Sequence, residues 1–191
     1  KTRGTWGEVQ LGSLLDQILT PAQYEKNVAV KKRSGERVEF AIKLPNGPDE
    51  ETPLWLPIDA KFPVEDYQRL IAAREVGDLV IIEQAGKELV ARIKGEAKDI
   101  RDKYIAPPET TDFGILYLPT EGLYAEITQR PWLQELLQRE YRVMVAGPNT
   151  VAALLNSLQM GFRTLAIEKR SSEVWQILGS VKNEFGKFGD L

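Results

Sequence analysis

The chain has 191 residues, 42% of them hydrophobic and 28% charged, with a formal net charge of -3. That is enough chain for one core of ordinary size, and no run approaches the about 18 apolar residues that a membrane helix requires, so no membrane contact is expected in this segment. With no Cys and no His, it cannot carry a Ser-His-Asp triad, a Cys nucleophile, a disulfide or a thiolate zinc site.

Water activation is thereby left to carboxylates, Lys or Tyr, and to hard cations on oxygen ligands, chiefly Mg²⁺ or Mn²⁺. The absence of Cys suits a reducing cytoplasm. The net charge confers no global attraction for nucleic acid, so any such binding needs a local basic patch. A start at Lys1 and an end at Leu191 inside a helical pattern read as a segment of a longer protein.

Between residues 6 and 20, Leu11, Leu14, Leu15, Ile18 and Leu19 recur at helical spacing, and Thr20-Pro21 marks the stop. Glu8 precedes Leu11 by three residues and Leu15 by seven, so it shares the apolar stripe and faces inward, where a lone carboxylate needs a partner. The bland reading of Glu8 is a first-turn acid favoured by the helix dipole. Strands are expected over 24–32 and 37–44, joined by a turn at Ser34-Gly35 and closed by the loop Pro45-Asn46-Gly47-Pro48. Alternation puts Val38, Phe40, Ile42 and Leu44 on one face and Arg37, Glu39, Ala41 and Lys43 on the other.

A third strand over 54–62 carries Asp59 and Lys61 on one face, with Ile58, Ala60 and Phe62 on the opposite one. Asp-x-Lys alone is commonly a solvated strand face. If the second and third strands are neighbours, however, Glu39, Asp59 and Lys61 meet on one face, and the first helix, packed across it, delivers Glu8. Helices follow over 63–75 and 79–104, separated by Val76-Gly77-Asp78. The charges of the second, among them Lys94, Lys98, Arg101 and Lys103, read as a solvated face, with a phosphate-contacting surface as the minority reading.

Short apolar runs over 112–118 and 141–146 read as buried strands, and Thr120 as the N-cap of the helix between them. Gly147-Pro148-Asn149 leads into a helix over 150–160. Helical spacing resumes after Thr164, and 171–191 reads as the root of a helical or coiled-coil extension through which the protein could self-associate, leaving 1–170 as the main domain.

Gly4-Thr5-Trp6-Gly7-Glu8, Arg37-Val38-Glu39-Phe40-Ala41-Ile42-Lys43-Leu44-Pro45 and Ile58-Asp59-Ala60-Lys61 resemble blocks of the RmuC family, as do Phe113 to Glu121 and Gly147 to Leu155, in the same order. The likeness covers nearly the whole chain. It implies an α/β domain of the PD-(D/E)XK restriction-endonuclease-like type, a mixed sheet flanked by helices, in a bacterial DNA recombination protein. Residue by residue it implies that Glu39 and Asp59 are the metal-binding acids, Lys61 the catalytic lysine and Glu8 the helix-borne acid. The family usually has Pro-Asp where this chain has Val38-Glu39, and the longer Glu would retune a metal site.

The resemblance further implies Mg²⁺ or Mn²⁺ as cofactor, DNA as partner, and a longer protein with coiled coils and often an N-terminal anchor in the inner membrane. Arg37 and Lys43, flanking the acids on their strand face, and the turn Lys31-Lys32-Arg33 are the candidate phosphate contacts. The alternative is a catalytically inactive DNA-binding or scaffold protein that keeps the nuclease-like fold.

Overall fold

In the computed structural model, which describes residues 4–45, 47–48 and 51–188, five strands pair in sequence order. They are β1 (Tyr24–Val28), β2 (Val38–Leu44), β3 (Leu54–Ala60), β4 (Gly114–Tyr117) and β5 (Val143–Ala146). β1, β2 and β3 are antiparallel neighbours, and β3, β4 and β5 are parallel ones. The helices are α1 (Gly4–Ile18), α2 (Val64–Val76), α3 (Leu79–Tyr104), α4 (Glu121–Thr128), α5 (Pro131–Tyr141) and α6 (Pro148–Phe188). The antiparallel strands need only short connections, whereas the parallel ones are joined by helical crossovers, α2–α3 and α4–α5. Of the expected features, Asn46 in the 45–48 loop, Lys1 and residues 189–191 lie outside the described residues.

Local chemistry accounts for most boundaries. Gly77 ends α2 in a left-handed conformation, φ 78°, and donates its N–H to Ala73 O, a geometry that an L side chain resists. Asp78 then caps α3, its carboxylate accepting from the N–H groups of Val80 and Ile81. Thr120 caps α4 through Leu123 N–H. That helix stops at Thr128 and a separate one begins at Pro131, whose missing N–H suits a first turn. β1 is shorter than the expected 24–32: its pairing with β2 ends at Val28, while Asn27 within it and Arg33 beyond it take positive φ, 57° and 64°.

The two faces of the sheet are covered by different helices. Leu116, paired with Asp59 across β3 and β4, packs in a cluster with Leu89, Ile93, Ala97 and Ile100 of α3 and Leu123, Leu133 and Leu137 of α4 and α5. Each fully buried Leu or Ile there contributes about 1.5–3 kcal/mol. Ala60 and Tyr117, paired one residue further on, look the other way, toward α1. Tyr117 Oη donates to Gln10 Oε1 at 2.8 Å. At Gly7 a Cβ would lie 2.8 Å from Pro119 Cγ and 3.8 Å from Ala60 Cβ, so α1 approaches this closely only because residue 7 has no side chain.

This arrangement corrects one expectation. α1 does not cover the Glu39, Asp59 and Lys61 face; it lies on the Phe40, Ala60 and Tyr117 face, where its leucines find apolar partners rather than carboxylates.

The chain divides into two units, Lys1–Ala152 and Ala153–Leu191, with α6 continuous through the division. The separate helices expected after residue 150 are one helix, and the division falls earlier than residue 171. The spacing of apolar residues carries no break at either point. In the second unit Val174, Trp175, Ile177, Leu178 and Val181 are exposed. No helix among the described residues is long and apolar enough to cross a membrane.

Candidate functional site

The register of β2 and β3 pairs Phe40 with Ile58; continuing it by one residue sets Glu39 opposite Asp59, on the face below α3. Ala60 N–H donates to Glu39 Oε2 at 2.9 Å. Asp59 is 2% exposed, and Lys61 Nζ stands 2.9 Å from its Oδ2. The approach is off hydrogen-bond alignment, so Oδ2 has charge compensation but no aligned donor. Lys61 is itself held by its backbone, whose N–H donates to Tyr117 O at 2.9 Å.

Just beyond the end of β3 an open cavity of about 350 Å³ is lined by Glu8, Glu39, Lys61, Asp66, Arg92 and Glu96, among others. Asp59 is buried behind Lys61. Glu8 arrives from α1 on the far face of the sheet, reaching round where β3 has ended; the Trp6 and Phe62 rings, 5.6 Å apart, mark that junction. The three acids and the lysine expected from the sequence therefore converge, by a different route for Glu8 than a helix laid across their face.

Sequence reasoning misses Glu96, Asp66 and Arg92. Glu96 lies three residues after Ile93 and one before Ala97, both buried, so its position beside the apolar stripe of α3 is the available signal. Arg92 Nε pairs with Asp66 Oδ2 at 3.2 Å, joining α3 to α2 over the cavity wall.

Too many carboxylates share this volume for all to ionise readily. Burial, reinforced by the charge of Asp59, pushes Glu39 up to about 8, and the Ala60 N–H only partly opposes this. Burial likewise raises the Asp59 carboxyl, against the nearby Lys61 ammonium. Burial works to lower Lys61, but Asp59 and Glu39 outweigh it and hold the amine charged, above its ordinary range. Glu96 is raised by burial, Lys61 opposing and Asp59 adding. Tyr104 is pushed up to about 12 by burial and then by the Asp59 charge.

The expected phosphate contacts are placed differently. Lys31 donates to the Asp102 carbonyl on α3, and Arg37 Nη1 to Asn27 O at 2.7 Å. Lys32 lies 3.8 Å from Glu109. Lys43 pairs with Glu25 at 3.1 Å and lies over the Trp55 ring. Four residues along β2 from Glu39, or about 13 Å, Lys43 does not flank the acids, and Arg37 turns toward β1. Arg33 is exposed and has no ion-pair partner among the described residues. The cations that line the cavity are Lys61 and Arg92.

Among the described residues no group of three or more acidic side chains is arranged to hold a metal ion. What is present is a facing pair, Glu39 and Asp59, in an electronegative pocket.

A model of the RmuC family matches residues 1–191. The chain is 61% identical over 191 residues to a protein of Xylella fastidiosa named DNA recombination protein RmuC homolog, covering all of this chain and 42% of that protein. It is 27% identical over 197 residues to a Pseudomonas aeruginosa protein of the same name, covering 98% of this chain and 41% of the relative. Against the DNA recombination protein RmuC of Escherichia coli the identity is 28% over 167 residues, covering 83% and 33%. The chain thus spans less than half the length of these curated relatives. No solved structure matches it.

Proposed function

The chain belongs to the RmuC family, and from that premise we propose that it is the nuclease-like part of a DNA recombination protein, a PD-(D/E)XK-type domain that hydrolyses phosphodiester bonds in DNA with Mg²⁺ or Mn²⁺. The observation that carries this reading is the buried Asp59 beside Lys61, with Glu39 facing it across two strands. A sheet antiparallel at β1–β3 and parallel at β3–β5, with the acids where the two halves meet, suits that fold type.

The residues fit a divalent cation of the Mg²⁺ kind. Such an ion commonly takes one or two carboxylates and completes its shell with waters and substrate phosphate, so the lack of a third clustered acid does not count against it. Asp59 Oδ2 without an aligned donor and Glu39, raised by burial and then by the Asp59 charge, are groups that a cation would relieve. Glu39 and Asp59 would hold it, and when bound it would polarise the phosphodiester and lower the pKa of a water. Lys61, kept charged by its neighbours, offers N–H donors and a positive charge to the phosphoryl oxygens as negative charge develops. Glu8 and Glu96 bound the cavity on the side open to solvent and can accept a proton or orient water there. Arg92 supplies a second cation at the rim for the DNA backbone.

A second reading, an inactive DNA-binding scaffold, is favoured by one observation: Lys61 on Asp59 and Ala60 N–H on Glu39 already satisfy much of the cluster from within. One experiment separates them. Full-length protein is assayed on single- and double-stranded DNA with Mg²⁺ or Mn²⁺, and with chelator. Hydrolysis that needs the cation and is lost in Asp59→Asn, with the fold intact by circular dichroism, supports the nuclease. Glu39→Asp, which restores the family's commoner acid, should keep or raise activity. Cleavage that survives chelation would falsify the metal mechanism, and absence of cleavage with DNA binding preserved favours the scaffold.

A further inference from the structure

A second cavity, of about 490 Å³, lies between α3, the C-terminal part of α2 and the start of α5. Val90 and Lys94 line it, whereas Arg92 and Glu96 line the acid cavity. Helical residues two apart point about 200° apart, so the two cavities flank α3 on opposite sides. Leu70 and Val90 form an apolar floor; Arg74, Lys94 and Arg130 form a basic rim, and Trp132 closes one side.

The rim is organised from behind. Glu126, 5% exposed, accepts from both Nη atoms of Arg74, the Nη2 bond being 2.8 Å, and lies 3.6 Å from Arg130 Nη1. One buried carboxylate therefore fixes two guanidiniums side by side and neutralises only one of their charges. A Cβ at Gly86 would stand 3.4 Å from Arg130 Nη2, so the guanidinium lies directly over the α3 backbone at that residue. Lys87 is taken up by Glu83 at 2.7 Å, but Lys94 has no carboxylate partner among the described residues and stands 5.3 Å over the Trp132 ring. The cavity thus presents fixed positive charge, an apolar slot and a half-exposed indole in one place.

We propose that this cavity binds a nucleotide, its base against Trp132 and the apolar floor and its phosphate on Arg130, Arg74 and Lys94. The volume suits one small planar ligand. Paired Arg forks match phosphate oxygens, and aromatic stacking accepts any base. The source is either a free nucleotide or one unit of a DNA strand, and the inference rests on the proposed function only for the second.

The test uses full-length protein in chelator, so that no cleavage is required. Fluorescein-labelled oligo-dT, dTMP and inorganic phosphate are titrated separately against wild type, Trp132→Ala and Lys94→Ala. Trp132 is 53% exposed, so its removal leaves the core untouched. Expected are an oligo-dT affinity about tenfold weaker in Trp132→Ala and a salt slope reduced by about one in Lys94→Ala. Binding of dTMP with the same dependence on Trp132 assigns the site to free nucleotides; oligo-dT binding without dTMP binding assigns it to a strand. Affinity indifferent to both substitutions, phosphate binding that ignores Trp132, or saturation only by an acidic amphipathic peptide overturns the proposal. Because these titrations are made in chelator and read binding, whereas the hydrolysis reading is tested by cleavage with the cation, a failure of that reading and a failure of this one appear in different measurements.

Discussion

Asp59 and Glu126 are both nearly fully buried carboxylates, 2% and 5% exposed, yet their surroundings differ in kind. Glu126 is met by the fork of Arg74 and by Arg130, and although burial works to raise its pKa, the Arg74 bonds hold it below the usual range. Asp59 has one Lys off alignment, other acids nearby, and a carboxyl raised by burial. A carboxylate paired bidentately is compensated from within the protein, whereas one left under-satisfied among like charges is not. Burial alone does not tell them apart. The number and alignment of donors does.

The largest effect expected from this difference is on stability. Glu126→Gln removes the counter-charge of Arg74 and Arg130, which are themselves partly exposed, and should cost about 1.5–3 kcal/mol, read by urea unfolding, whereas Asp59→Asn should stay within about 1 kcal/mol. Equal losses in the two variants would dissolve the comparison.

The acid cavity should also report itself through pH. Glu39 is raised in the folded protein from 4.5 to about 8, so the folded state binds the extra proton. Its contribution to stability is fully present below about pH 4.5 and is lost as pH rises toward 8, with a slope of at most about 1.4 kcal/mol per pH unit; Asp59 is shifted in the same direction. Melting temperature without divalent cation should therefore fall across that window, and Glu39→Gln should flatten the fall. Saturating Mg²⁺ should flatten it as well, because a cation replaces the proton as the compensating charge. A profile unchanged by both would mean the two acids are already satisfied.

The smallest effects belong to the 31–33 turn. Lys32→Ala and Arg33→Ala remove exposed charges and should change stability by less than about 0.5 kcal/mol. Any role they have in binding DNA would show as a flatter dependence of affinity on salt, by about one unit of slope for each phosphate no longer neutralised. A fall in affinity larger than that of Trp132→Ala would move the DNA surface to this turn.

Several parts of the fold are legible in the sequence because they are decided within a few residues. Asp78 and Gly77 mark the junction of α2 and α3 by capping chemistry, and Thr120 does so for α4. Strand alternation puts Asp59 and Lys61 on one face, since the period of two holds whatever packs above; that Glu39 joins them depends on β2 pairing with β3 in this register. The structure departs from expectation where local pattern gives no warning: β1 stops pairing at Val28, and α6 runs on without a break.

For the site, periodicity on α1 shows that Leu11 and Leu15 are buried but not against which face of the sheet, because an apolar stripe is satisfied equally by any apolar partner. Gly7 against Pro119 and Ala60 decides that, and with it the route by which Glu8 reaches the cavity. Glu96 and Arg92, and the clasp of Arg74 and Arg130 on Glu126, arise from helices brought together across long stretches of chain. Residue order alone sets the types of charge available and the faces of β2 and β3 that carry them. Which of those charges are compensated follows from packing between distant segments, because the cost of a buried charge depends on the number and alignment of its neighbours.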